Sequence, residues 1–219
     1  MSEAVDRLWR AFVAVVDDAL ASHGTSAFET LGQRLTSATP NHSLTPLTQP
    51  VVEQLLAPSV DAAPEPWREL ALLLAAASPE LPWLKSYEHL EPAPEFQPRY
   101  SFLLLGAPSF RGYEPAFLLP DALLGLTLQA PHVVYPAHHH EPPEMYGVIS
   151  GTLDWQVGTT WSTKGPGDVI VHRSHESHSM VTRDDPVLTW AVWPRNPETH
   201  VYMPSLDPPE KSMEPTPYC

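Results

Sequence analysis

The sequence predicts a mainly β protein preceded by an N-terminal helical region, and two patterns of apolar residues support this. Across residues 2–22, apolar side chains recur at three- and four-residue spacing, which is typical of an amphipathic helix. From about Pro94 onward, short apolar or alternating runs lie between glycine, proline and aspartate turn signals. Many short strands with this spacing indicate an antiparallel sandwich or barrel.

The N-terminal region contains several predicted helices. Ser2 is expected to cap the first of them, and Gly24 is expected to end it. Proline in the first turn of another helix costs nothing, because the missing N–H would have no partner there. The further helices are expected over residues 27–35, 51–56, 64–77 and, as one or two turns, 81–89, with a loop over residues 39–47.

The second part of the chain contains the predicted strands. They are expected over residues 100–105, 116–119, 124–128, 145–149, 152–157, 169–172, 179–181 and 187–193. Beyond residue 200 the chain is rich in proline and poor in core-forming residues. We therefore expect a helical region over residues 1–93, a β-barrel over 94–200 and a proline-rich C-terminal tail over 201–219.

Composition restricts the class of function. The 219 residues fit one large domain or one domain with a helical extension, and the formal net charge of −14 argues against binding nucleic acid. No apolar run is long enough to cross a membrane, and charges throughout the first twenty residues exclude a secretory signal. The only cysteine, Cys219, cannot form an intrachain disulfide, which suits a reducing compartment. We expect a soluble cytoplasmic protein.

Histidines are concentrated in one part of the chain. Seven of the eleven lie between His132 and His178, beside carboxylates and without a cysteine nearby. This composition indicates a metal site built from nitrogen and oxygen ligands. Zinc, iron, manganese, cobalt and nickel all fit such ligands, so a divalent transition metal is expected and its identity stays open.

Strand geometry selects among these residues, because side chains two apart point to the same face. His138 and His140 therefore point together, whereas His139 points away. After the rigid Pro-Pro break, Glu144 begins a returning strand and shares its face with Tyr146. A second segment, after a Gly-Pro-Gly-Asp turn, supplies three more histidines, of which one or two can reach the same point: His172, His175 and His178.

Two spaced motifs in this region resemble those of the cupin superfamily. The first is His138-x-His140-x-x-x-Glu144 followed by Gly151, and the second is Pro-Gly-Asp at 166–168 with His178 ten residues after the aspartate. The resemblance implies a single cupin domain, a double-stranded β-helix of the jelly-roll kind.

Three further residues narrow the resemblance to the cupin-type dimethylsulfoniopropionate (DMSP) lyases: Tyr135, Tyr146 and Trp193. That resemblance implies a metal shell and a pocket. The shell would comprise His140, Glu144, Tyr146 and His178. Tyr135 would be a second catalytic tyrosine that also contacts substrate, Trp193 a pocket wall, and His138 a residue that lines the site or joins the shell.

The reaction implied by this resemblance is a β-elimination that releases dimethyl sulfide and acrylate from a small zwitterionic substrate. A divalent metal would bind the substrate carboxylate and stabilise the charge that develops beside it. Tyr146 is our first candidate for the base, and Tyr135 is the rival or a proton relay. Aromatic rings could hold the sulfonium by cation–π attraction, with Trp193 and Tyr135 favoured over Trp155, which is expected in the core, and Trp190.

The residues leave other functions open. The same ligands serve an iron-dependent cupin dioxygenase, a non-catalytic ligand-binding cupin, or a lyase-like enzyme acting on another small carboxylate. Neither nucleic acid nor membrane is expected as a partner. The helical faces and the proline-rich tail offer surfaces for a homodimer.

Overall fold

Four α-helices stand before the β-rich part in the computed structural model, which describes residues 2–85, 87, 95–109 and 112–204. Their bounds are α1 (Glu3–His23), α2 (Leu31–Leu35), α3 (Pro50–Asp61) and α4 (Trp67–Ala77). The predicted cap and stop of α1 are confirmed. The hydroxyl of Ser2 accepts a hydrogen bond from the backbone N–H of Val5, and the N–H of Gly24 donates to the carbonyl of Leu20.

Other helix boundaries differ from the sequence prediction. The helix expected over residues 27–35 is split into a 3₁₀ turn, Ser26–Phe28, and α2, and α3 continues five residues beyond the predicted end. The helical turns expected over residues 81–89 are wrong within the described residues, because Trp83–Lys85 forms a strand. That strand pairs antiparallel with residues 101–103, and this tertiary pairing overrides the local helical pattern.

Twelve strands follow or interleave with these helices in the described residues. In chain order they are β1 (Thr39–Pro40), β2 (Trp83–Lys85), β3 (Tyr100–Ala107), β4 (Phe117–Leu118), β5 (Leu123–Gln129), β6 (Val134–His138), β7 (Glu144–Ser150), β8 (Leu153–Val157), β9 (Thr160–Lys164), β10 (Val169–His172), β11 (His178–Thr182) and β12 (Val187–Trp193).

The strands form two sheets, one large and one small. The large sheet has eight strands, in the order β1-β4-β3-β5-β12-β7-β10 with β2 paired to β3, and the small one has four, in the order β6-β11-β8-β9. Within the described residues every pair of strands is antiparallel apart from β3 with β4. Two sheets of this kind behind N-terminal helices confirm the predicted jelly-roll-like cupin fold.

The helices cover the large sheet and share its core. α1 contacts β10, α4 contacts β7, and α3 contacts β3 and β5. One continuous cluster of buried apolar side chains joins the helices to both sheets. None of the described helices combines the length and apolar character that crossing a bilayer requires.

The predicted division into a helical region (1–93), a β-barrel (94–200) and a C-terminal tail (201–219) stays a proposal. β1 and β2 belong to the range expected to be helical, and both pair with strands of the large sheet. Most of the expected tail, residues 205–219, lies outside the described residues. Its first residues are packed: Met203 is buried, and Tyr202 exchanges backbone hydrogen bonds with His139 at 3.0 and 2.9 Å.

Gly147, in the middle of β7, lies directly opposite Trp190 of β12. A Cβ atom at this position would stand 2.2 Å from the indole ring of Trp190, which is fully buried and cannot withdraw. We expect Gly147→Ala to lower the free energy of unfolding by about 1–3 kcal/mol or more, as overpacking does. Gly165→Ala is the matched control, because nothing lies within 4 Å of its Cβ position. Equal urea midpoints for the two variants would contradict the expectation.

Candidate active site

A cavity of about 130 Å³ lies between the two sheets. The small sheet contributes residues of β6, and the large sheet contributes residues of β3, β5, β7 and β12. Six of the seven predicted site residues line this cavity: Tyr135, His138, His140, Glu144, Tyr146 and Trp193. The seventh, His178, reaches the same place from β11 and pairs with His138 across the small sheet.

Three buried side chains converge on one point beside the cavity. The nearest ligand atoms of His140, Glu144 and His178 all lie within 4.8 Å of one another. Nε2 of His140 and Nε2 of His178 each stand 3.2 Å from Oε2 of Glu144. Among the described residues, no other set of three or more histidine, cysteine or acidic side chains is arranged in this way.

Backbone carbonyls determine which nitrogen of each imidazole carries the proton. Nδ1 of His138 lies 2.8 Å from the carbonyl oxygen of Pro136, and Nδ1 of His140 lies 2.9 Å from that of Pro142. His178 makes the same contact with the carbonyl of Glu176, at 2.9 Å. A carbonyl only accepts, so Nδ1–H must be the donor in each case. In its neutral form each ring therefore keeps a lone pair on Nε2, which is the form that binds metals.

This arrangement fits a metal cation. When they are neutral and protonated on Nδ1, the rings of His140 and His178 present acceptors at Nε2 to a carboxylate, which is also an acceptor. The 3.2 Å contact of His140 with Glu144 is a hydrogen bond only when that ring carries a second proton, so a proton or a cation is needed between the two groups. Nε2 of His178 is buried and has no hydrogen bond, because its 3.2 Å approach to Glu144 lies outside the direction that a hydrogen bond needs. A divalent cation between these three groups would satisfy all of them. His140, His178 and Glu144 are therefore the residues that would hold it.

Glu144 is held in place by donors on both of its oxygens. The indole N–H of Trp193 donates to Oε1 at 2.6 Å, and Nδ1 of His172 lies 3.2 Å from Oε2. Burial pushes the pKa of Glu144 upward, but the neighbouring imidazoles together hold it well below its usual value. The carboxylate is therefore ionised and oriented before any ligand arrives.

Tyr135 and His138 form a second part of the site, next to the three convergent side chains. Their rings stack with centroids 4.2 Å apart, and the other stacking partner of Tyr135 is Phe96, at 4.8 Å. The Tyr135 hydroxyl makes a hydrogen bond with the hydroxyl of Tyr87. Burial, followed by the electrostatic effect of the neighbouring His178 ring, lowers the pKa of His138 well below its usual value, so this ring is neutral.

Tyr146 lies two residues after Glu144 and shares its face of β7, as strand parity predicts. Its ring meets the edge of Trp155, with centroids 4.9 Å apart. Burial raises the pKa of Tyr146 well above its usual value, and the negative charge of Glu144 raises it further. Burial likewise raises the pKa of Tyr135. Both phenols are therefore protonated unless positive charge enters the cavity.

The rest of the cavity wall is aromatic and aliphatic. No lysine or arginine is among the described residues that line it. Tyr100, Phe102 and Tyr113 add aromatic rings, and the segment after β12 closes one side with Pro197 and Val201, among others. Glu144 is therefore the one acidic side chain among the described lining residues.

Sequence reasoning missed several residues of this site. His172 was one of three histidines left open, and its contact with Glu144 depends on the register between β10 and β7, which pairs the two residues. Trp155 is buried as predicted, yet its indole N–H also donates to Nε2 of His172 at 3.0 Å. Tyr87 lies within residues 81–89, where helical turns were predicted, and nothing in its local sequence indicates a long-range contact with Tyr135. Trp190 is fully buried on the opposite side of β12 from the cavity.

Comparison with known proteins gives the family. The profile of the DMSP lyase (dimethylsulfoniopropionate lyase) family matches residues 23–189, which is more than half of the chain. No curated protein matches. A chain from the crystal structures of the DMSP lyases RdDddP and RnDddQII is 25% identical, with a TM-score of 0.63 over 89% of this chain and 98% of that one.

A second solved structure has the same fold. DMSP lyase DddQ from Ruegeria pomeroyi DSS-3 aligns with a TM-score of 0.75 and 20% identity, over 93% of this chain and all of that one. The alignment includes the N-terminal helices as well as the sheets, since it covers nearly the whole of both chains. With the profile match over residues 23–189, these findings show that the chain belongs to the DMSP lyase family.

Proposed function

We propose that the protein is a metal-dependent lyase that cleaves DMSP by β-elimination to dimethyl sulfide and acrylate. The observation that supports this most directly is the convergence of His140, Glu144 and His178 beside a cavity that also contains two tyrosines. Family membership supports the reaction class. A divalent transition metal held by the three convergent side chains would supply positive charge to bind the substrate carboxylate and to stabilise the enolate-like charge that develops.

The cavity wall supports this orientation of the substrate. Since the described lining residues include no lysine or arginine, a substrate carboxylate has no cationic side chain to pair with. The sulfonium would lie against aromatic rings, which attract cations over their faces. Trp193 and the Phe102–Tyr113 pair, whose centroids are 5.6 Å apart, offer such surfaces. Tyr135 contributes less, because stacking on His138 and Phe96 occupies its ring.

Tyr146 is the proposed base. As a phenolate it would remove a proton from the carbon next to the carboxylate. The electron pair of that C–H bond would form the carbon–carbon double bond, and the C–S bond would break with its electrons leaving on dimethyl sulfide. Burial and Glu144 keep Tyr146 protonated by themselves, so its ionisation depends on positive charge brought into the cavity. Both the metal and the substrate sulfonium carry such charge.

Tyr135 is the rival for this role or its proton relay. Its hydroxyl is linked to that of Tyr87, so a proton could pass between the two phenols. Tyr87 also lines the cavity, and burial raises its pKa. This link makes Tyr135 better suited to orient substrate or return a proton than to act as an isolated base.

The test is a product assay on the purified protein. We expect release of acrylate and dimethyl sulfide from DMSP in equal amounts, with activity lost on chelation and restored by a divalent metal. Zinc, iron, manganese, cobalt and nickel should each be tried across a range of pH. Absence of both products with every metal would overturn the proposal. Oxygen consumption that requires iron would instead indicate a dioxygenase, and turnover of a different carboxylate would indicate a related lyase.

A further inference from the structure

His172 stands directly opposite Glu144 in the pairing of β10 with β7. Its side chain is fully buried, and its Nδ1 lies 3.2 Å from Oε2 of Glu144. The ring also stacks on that of His178, with centroids 3.8 Å apart and an interplanar angle of 15°. His172 therefore touches two of the three side chains that would hold the metal, although it is not itself one of them.

Trp155 determines which nitrogen of His172 carries the proton. The indole N–H can only donate, and it lies 3.0 Å from Nε2 of His172. Nε2 must therefore be the acceptor, which leaves the proton of the neutral ring on Nδ1. His172 consequently offers Glu144 an N–H donor, whereas His140 and His178, whose Nδ1–H groups donate to backbone carbonyls, offer lone pairs on Nε2 in their neutral form.

We propose that His172 is a positioning residue for the metal site and that Trp155 keeps it in the donor form. The Nδ1–H of His172 and the indole N–H of Trp193 each hold one oxygen of Glu144, so the plane of the carboxylate is fixed. Stacking on His178 aligns a second ligand. The inference rests on the metal site of the proposed function, but not on the identity of the substrate.

Two amide substitutions of His172 distinguish the effect of its hydrogen bond to Glu144 from the effect of its ring packing against His178. His172→Asn places an amide near the position of Nδ1 and can still donate to Glu144. His172→Gln places its amide near the position of Nε2, so it can still accept from Trp155 but loses the donor to Glu144. Hydrogen-bond partners of metal ligands typically contribute 10–100-fold to metal affinity. We expect a loss of about this size for His172→Gln and a much smaller one for His172→Asn.

The measurement is zinc affinity, determined by competition with a chromophoric chelator, on metal-free protein whose fold is verified by circular dichroism and thermal unfolding. His42→Gln, at an exposed position away from the cavity, is the control and should bind zinc as the wild type does. Trp155→Phe should also weaken binding. Combined with His172→Gln it should add little, because both changes break one chain of contacts.

The outcomes are distinct. Unchanged zinc affinity in His172→Gln would overturn the inference, and so would His172→Asn binding as weakly as His172→Gln, since packing alone would then explain the loss. A wild-type protein that binds no metal would overturn this inference together with the metal site. Wild-type protein that binds zinc and shows the expected ranking of variants, yet leaves DMSP intact, would support the inference and overturn only the proposed reaction.

Discussion

Tyr146→Phe is expected to abolish lyase turnover while the protein keeps its metal. The substitution removes one hydroxyl from a buried ring and leaves the packing against Trp155 intact. A general base contributes about 10²–10⁴-fold to rate, so we expect kcat to fall by at least about 10²-fold. The measurement combines acrylate release under substrate saturation with metal analysis of the same sample. The protein should retain metal, because three of the four expected ligands, His140, Glu144 and His178, are unchanged.

Tyr135→Phe is the matched variant for this experiment. It removes the hydroxyl that bonds Tyr87 and leaves the stacking on His138 in place. We expect a smaller loss of kcat than for Tyr146→Phe, because a relay or orienting group can be replaced in part by water. If Tyr146→Phe kept near-normal kcat while Tyr135→Phe lost it, the two roles would be exchanged.

Glu144→Gln is expected to lose both metal and activity. The change keeps the shape of the side chain but removes the negative charge that faces His140 and His178. It also creates a conflict of donors, since Trp193 and His172 both point N–H groups at the carboxylate and an amide accepts through only one of its two atoms. We expect zinc affinity to fall by more than the roughly 100-fold seen when outer partners are lost.

Glu141, an acidic residue three positions before Glu144, supplies the control for this change. Glu141 is bonded on the surface to Arg195 at 2.7 Å and to Asn196 at 2.9 Å, and it is not among the residues that line the cavity. Glu141→Gln should therefore keep metal and turnover. Metal content after dialysis and dimethyl sulfide in the headspace measure the two effects. Retention of stoichiometric metal by Glu144→Gln would remove this carboxylate from the proposed ligands.

Local patterns in the sequence predicted much of the fold, and the reasons are physical. The first helix was predicted with its cap because helical periodicity and an N-cap hydroxyl act over neighbouring residues, as at Ser2. The shared face of Glu144 and Tyr146 was also predictable, because side chains alternate along a strand and this alternation involves only neighbouring residues. The helical turns expected over residues 81–89 were wrong at Trp83–Lys85, because pairing with β3 decided the conformation there.

In the candidate site, too, local sequence patterns predicted contacts within one strand but not contacts between distant strands. His138 and His140 were placed together from their spacing, and both line the cavity. His172 was not singled out, because its contact with Glu144 depends on the pairing of two strands that are distant in sequence. The link from Trp155 to His172 joins the two sheets, and no single-strand pattern predicts such a contact.

The cavity wall has a consequence for how the protein would respond to its surroundings. Without lysine or arginine among the described lining residues, and with Glu144 ionised, a metal-stripped cavity would repel carboxylates. Without the ion, the proposed site would therefore have no group that attracts the substrate carboxylate. Supply of the ion would then act as an on–off control of the reaction. Acrylate, which keeps the carboxylate, would compete with substrate only in the loaded form.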